Sequence, residues 1–112
     1  MSGITTHVLD TARGRPAAGV RISLALRAGE RWTELATAAT DADGRIAAFS
    51  PDRPPAVGST CRLRFEIGEY FAAQSLAAFY PYVEVVFTVH DDRPHHVPLL
   101  VGPFGYTTYR GS

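Results

Sequence analysis

Residues 20–27 read Val-Arg-Ile-Ser-Leu-Ala-Leu-Arg, "VRISLALR". Val20, Ile22, Leu24 and Leu26 fall on one parity, and Arg21, Ser23, Ala25 and Arg27 on the other. A helix would scatter those four aliphatics around its circumference. A strand, with a side-chain period of two, lines them along one face. The same alternation returns in "CRLRFEI" (61–67), where Cys61, Leu63, Phe65 and Ile67 oppose Arg62, Arg64 and Glu66. In "VEVVFTVH" (83–90), Val83, Val85, Phe87 and Val89 oppose Glu84, Val86, Thr88 and His90. Each segment is a strand with one face on a core and the other in solvent or at an interface.

Turn chemistry separates these strands. "RGRPAAG" (13–19) carries two glycines and a proline, and "TDADGR" (40–45) carries an Asp-Gly pair that favours positive φ. "SPDRPPAVGS" (50–59) is a loop whose prolines exclude helix and central strand. "DDRP" (91–94) and "GPFG" (102–105) are tight connections. Strands are expected near 4–9, 19–27, 32–39, 45–49, 61–68, 83–90, 95–101 and 105–110. Only "EYFAAQSLAA" (69–78) reads as helical, because Ala and Gln favour helix there. Many short strands with turns at near-regular spacing make an all-β protein, a β-sandwich with one short helix. Without repeat, low-complexity tract or linker, 1–112 is expected to be a single domain.

Composition narrows the function. The chain has 112 residues, 46% hydrophobic and 20% charged, and its formal net charge is zero. Arg supplies all eleven basic residues. Such a balance creates no field that draws in nucleic acid or an anionic membrane surface, so neither is expected as a partner. Zero net charge also offers little resistance to self-association. Cys61 is the sole cysteine, so no intrachain disulfide forms, in keeping with a reducing compartment. "MSGITTHVLD" has neither a basic n-region nor an apolar h-region, so no signal peptide is expected, and no apolar run approaches the ~20 residues of a membrane helix. A cytoplasmic protein is expected.

The polar residues stand out against this pattern. In "ITTHVLD" (4–10), His7 takes the parity opposite to Ile4 and Val8 and so leaves the buried face. On position alone it is a surface or interface histidine. In "HHVPLLV" (95–101), Val97, Leu99 and Val101 share one parity, and His96, Pro98 and Leu100 the other. Pro98 inside a strand implies an edge or a bulge, and bulges re-aim side chains beside active sites. His95 shares the apolar parity and reads as packing or capping. The spacing of His90, His95 and His96 fits no recognised zinc pattern, and no metal is expected. No nucleophile elbow, phosphate loop or dinucleotide fingerprint occurs, and Cys61 alternates with core residues as a small buried hydrophobe. Arg45 follows the "DADG" turn directly. Pattern alone selects no reaction from this set.

Four stretches do. "THVLDTARGRPAAGV" (6–20), "TDADGRI" (40–46), "PYVEVVFTVHD" (81–91) and "HVPLLVGPFGYTTYRGS" (96–112) together resemble the 5-hydroxyisourate hydrolase family, transthyretin-like enzymes of purine and urate degradation. The resemblance runs nearly end to end, and its most specific element is the closing "YRGS". It implies a transthyretin-like β-sandwich of two four-stranded sheets. By the resemblance, His7 falls on the histidine of the family's first motif, Arg45 on the arginine after its Asp-Gly turn, His96 on the histidine before its Val-Pro-Leu run, and Tyr109, Arg110, Gly111 and Ser112 on its closing tetrapeptide. Pro94 and His95 stand where many relatives carry His and Tyr. The resemblance further implies a homotetramer, a dimer of dimers with sites at the interface between dimers, and no cofactor.

The implied reaction is hydrolysis of 5-hydroxyisourate to 2-oxo-4-hydroxy-4-carboxy-5-ureidoimidazoline. It needs a base for water, cations for the developing oxyanion and an acid for the leaving nitrogen. His7 and His96 are expected to share the acid/base work. Arg45 is expected to stabilise the oxyanion and anchor the substrate. Tyr109, Arg110, Gly111 and Ser112 would bind the ring and orient the water. Two other readings compete: a transthyretin-like carrier without chemistry, and an adhesive sandwich. The carrier is disfavoured because an apolar ligand asks for a mainly apolar channel, the adhesin because no export signal is seen.

Overall fold

The structure, a computed structural model, describes residues 3–46, 49 and 54–111. Its strands are β1 (Ile4–Asp10), β2 (Arg15–Pro16), β3 (Arg21–Ala28), β4 (Arg31–Ala39), β5 (Arg45–Ile46), β6 (Thr60–Phe65), β7 (Val83–Thr88), β8 (His95–Gly102) and β9 (Gly105–Thr108). One helix, α1 (Ile67–Ala72), lies between β6 and β7. Two sheets face each other. One runs β2-β1-β8-β9, with β5 also paired to β1, and the other runs β4-β3-β6-β7. The expected sandwich is present, with the first sheet at five strands rather than four. The extra strand is β2, two residues of the Gly/Pro turn that pair with Leu9 and Asp10.

The alternation read from the sequence is the burial pattern observed. Val20, Ile22, Leu24, Cys61, Leu63 and Phe65 are fully enclosed, facing Val8, Leu99 and Val101 of the other sheet. Full burial of each large side chain contributes about 1.5–3 kcal/mol. Ala25, on the outward parity, is nevertheless buried. The β3–β4 register slips between Leu24 and Ala25, so the alternation is interrupted there.

The helix starts earlier and is shorter than 69–78. Ile67 continues the period of two from β6, yet it also stands four residues before Phe71, and both side chains are fully buried. Burial of that pair sets the helix. Gly68 permits its entry: a Cβ there would lie 2.5 Å from the Pro81 carbonyl oxygen. Ser75 takes φ +61, which stops the helix despite the Ala and Gln around it. For the same reason the strand expected over 61–68 ends at Phe65. Of the strand expected over 45–49, residues 47 and 48 lie outside the described residues, as do 50–53 of the following loop.

Every ladder is antiparallel except one. β1 and β8 pair in parallel, from Ile4 opposite His95 to Asp10 opposite Val101. That ladder brings the two histidine-bearing strands side by side.

Candidate active site

Three local devices build the site. The first is the turn before β5. The Asp41 carboxylate accepts the backbone N–H groups of Asp43 (2.8 Å) and Arg45 (3.0 Å). Gly44 takes φ +74, and a Cβ there would lie 2.4 Å from the Val8 carbonyl oxygen. Only glycine fits. The turn lays Arg45 directly opposite His7 on β1.

The second device is the β1–β8 ladder, which sets Thr5 opposite His96 and His7 opposite Pro98. Thr5, His7 and His96 are half-buried on the outward face, while Ile4, Thr6, Val8, Val97 and Leu99 point into the core. The Thr5 hydroxyl and His96 Nδ1 lie 2.7 Å apart. A hydroxyl both donates and accepts, so it serves either tautomer of the ring. With Nδ1–H donating to Thr5, Nε2 presents a lone pair.

The third is a lapse in β9. Pro98 sits within the central strand β8, where its missing N–H would break a ladder. The break falls where β9 stops: Thr108 pairs with Leu99 and donates its hydroxyl to the Pro98 carbonyl (2.7 Å). The chain rejoins only at Gly111, whose N–H donates to the His96 carbonyl (2.7 Å). Tyr109 and Arg110 between them stay in register but outside the ladder. The edge or bulge that Pro98 implied is thus a gap in its neighbour. Gly111 lies flat on His96: a Cβ would be 2.5 Å from the ring's Cδ2.

These devices open one cleft of about 710 Å³, lined by Thr5, Arg45, His96, Arg110 and Gly111 together with Arg93 and Pro94. His7 lies beside the cleft, near enough for its charge to be felt at His96. Burial, the largest influence, followed by Arg45 and His7, holds the His96 imidazolium below the usual histidine range. His96 is therefore neutral at pH 7. Among the described residues, Arg45 pairs with no carboxylate.

The remaining candidates divide. Tyr109 is exposed and lines a second cavity of about 400 Å³, between β7 and β9, with Val85, Phe87 and His90. Arg110 reaches both cavities. Ser112 lies outside the described residues. His95 turns into the core, 3% exposed and stacked on Phe87. Its Nε2 accepts the His90 N–H (3.3 Å), which leaves Nδ1 to donate to the Arg93 carbonyl (2.9 Å). Cys61 is buried, and burial pushes its thiol up to about 11, which removes it as a nucleophile. Thr5, Arg93 and Asp91 were not singled out from sequence. Thr5 carried a signal, since it shares His7's parity.

An imidazole kept neutral by burial and by the nearby unpaired Arg45, on the outer face of a sandwich, is suited to adding water to a carbonyl. Comparisons with known proteins show the family. The HIUase/Transthyretin family matches residues 4–111, and the chain belongs to it. A Caulobacter vibrioides protein named 5-hydroxyisourate hydrolase is 50% identical, with all of both chains covered. The solved structure of Klebsiella pneumoniae 5-hydroxyisourate hydrolase superposes with a TM-score of 0.85 at 39% identity, over all of both chains. Sea bream transthyretin in complex with thyroxine has a TM-score of 0.88 at 30% identity, covering 96% of this chain and 93% of its own. Enzyme and carrier share this fold.

Proposed function

We propose that the chain hydrolyses 5-hydroxyisourate, opening its six-membered ring to 2-oxo-4-hydroxy-4-carboxy-5-ureidoimidazoline. Hydrolysis of this purine derivative is supported by full-length relatives of that name at 50% and 39% identity. The observation that carries the residue assignment is the convergence of His96, Arg45, Arg110 and Gly111 on one cleft, beside His7.

Neutral His96, with Nδ1 turned to Thr5, takes a proton from water at Nε2. The water oxygen bonds to the ring carbonyl carbon. Arg45 stabilises the charge that gathers on the carbonyl oxygen. The C–N bond then breaks, the nitrogen takes a proton from an imidazolium, and the carbonyl carbon leaves as a carboxylate. His7 stands beside this relay and shares the proton. Arg110 offers a planar fork to the carbonyl-rich ring. Gly111 keeps the His96 ring in place and Ser112 orients the water, while Tyr109 lines the neighbouring cavity. No metal or cofactor takes part in this scheme.

The assembly belongs to the same reading. A homotetramer, a dimer of dimers with sites between dimers, would cover the exposed Val86, Phe104, Tyr106 and Tyr109. The one buried core, running from Ile4 to Val101, supports a single domain over 1–112. The free thiol of Cys61 suits the cytoplasm. The test is the ultraviolet absorbance of freshly generated 5-hydroxyisourate, which decays slowly unaided. Rapid decay on adding the pure protein is expected, with the acceleration lost in His96→Ala. An unchanged decay would leave a carrier.

A further inference from the structure

The loop between β7 and β8 carries Asp91, which the scheme above does not use. Its carboxylate is the only one within hydrogen-bond reach of the cleft's guanidiniums among the described residues. Oδ1 accepts the Arg93 backbone N–H (3.0 Å) and Nη2–H of Arg110 (3.3 Å). Oδ2 accepts Nη2–H (3.0 Å) and Nε–H (3.3 Å) of Arg93. One carboxylate thus gathers two arginines that line the same cleft as Arg45.

The need for such a tether follows from the gap opposite Pro98. Tyr109 and Arg110 have left the β9 ladder, and the backbone is caught again only at Gly111. A long, partly exposed side chain on a stretch outside the ladder samples many rotamers. Like charges on Arg45 and Arg93 would also push Arg110 outward. Asp91 opposes both effects, and its own place is fixed. The loop is pinned by the His90 N–H and the Arg93 carbonyl on the two nitrogens of buried His95, and by the His95 N–H on the Gly3 carbonyl (2.8 Å). The hydrogen bond from Arg93 holds the Asp91 carboxyl well below the usual carboxylate range, so the tether is charged throughout the working pH range.

We propose that Asp91 is a positioning residue that aims Arg110, together with Arg93, into the cleft. This rests on the reading that Arg110 binds the substrate. It assigns Arg93 to the same binding surface, as a second fork for a carbonyl-rich or anionic ring.

The test is Asp91→Asn in the full chain, which keeps an oxygen for the turn N–H and removes the charge. KM for 5-hydroxyisourate is expected to rise about tenfold with kcat changed less than about threefold, the signature of lost binding rather than lost chemistry. In an Arg93→Ala, Arg110→Ala background the same substitution should add no further change in KM, because the three residues form one unit. An unchanged KM, or a tenfold rise that persists without both arginines, overturns the proposal. A second readout needs no turnover: amide hydrogen exchange at Gly111. Faster exchange in Asp91→Asn supports the tether, and exchange equal to wild type overturns it. Should the wild-type protein leave 5-hydroxyisourate untouched, the functional reading fails while the exchange measurement still decides the role of Asp91.

Discussion

The outer faces of the two sheets carry similar residues and treat them in opposite ways. On the four-stranded sheet, Arg62 lies 4.6 Å over the Trp32 ring and 3.6 Å from Glu84. Arg64 lies 3.6 Å over Tyr82, 2.7 Å from Glu66 and 3.6 Å from the same Glu84. Each of these two cations has an aromatic floor and a carboxylate. On the five-stranded sheet, His7, His96 and Arg45 share a face on which no carboxylate among the described residues pairs with them, and Asp91 pairs with Arg93 and Arg110 instead. Paired charges cover a surface. Arg45, left unpaired, adds to burial in keeping the His96 imidazole from protonating. What sets the candidate site apart from the paired face is Arg45, which has no counter-charge among the described residues.

The comparison breaks most completely at His96. His96→Ala should keep the sandwich and lower kcat about 100- to 1000-fold, the usual loss of a general base, as measured by steady-state kinetics. Near-normal turnover would remove His96 from the chemistry. Gly111→Ala comes next. The new Cβ would lie 2.5 Å from the His96 Cδ2, so ring or strand must move. A displacement near 1 Å can cost about 100-fold, and kcat is expected to fall within that limit while far-ultraviolet circular dichroism is unchanged. A smaller substitution series cannot be made there, since glycine is already the minimum.

The pH dependence sharpens the contrast with a moderate effect. Because burial, Arg45 and His7 lower the His96 pKa, the acid limb of kcat/KM should fall below the ordinary histidine value of about 6.5. Arg45→Gln removes a positive charge that opposes protonation, so the limb should move to higher pH. Stability follows the same sign. The unfolded chain binds the His96 proton first as pH falls, so this group's contribution is full above its unfolded pKa and lost as pH drops through the folded one. Smallest of all is Glu84→Gln on the paired face. It should cost about 0–1 kcal/mol in denaturant unfolding and leave kcat and KM unchanged. A large kinetic effect would show that the two faces are coupled.

Much of this was legible in the sequence because it depends on parity. The outward turn of His7 and His96 and the inward turn of His95 follow from alternation with Val8, Val97 and Leu99. Arg45 was legible through "DADG", where Asp41 and Gly44 dictate the turn whatever surrounds it. What was not legible depends on register. No local pattern says that Thr5 lies opposite His96, since their pairing spans 91 residues. Asp91 looked like loop punctuation because its role exists only once Arg110 arrives from another strand. The helix was misplaced because Ile67 fits both periods, and burial with Phe71, not local propensity, decided between them.

The parallel β1–β8 ladder has a kinetic consequence. Closing so long a loop is entropically costly and is completed late in folding. The first strand waits beside an empty slot until the eighth lies down next to it, and Gly111 must then dock on both. A partly collapsed molecule can therefore own most of its core and none of its chemistry. Recovery of turnover after dilution from denaturant should trail recovery of tryptophan fluorescence from Trp32, which sits on the sheet formed by nearer neighbours.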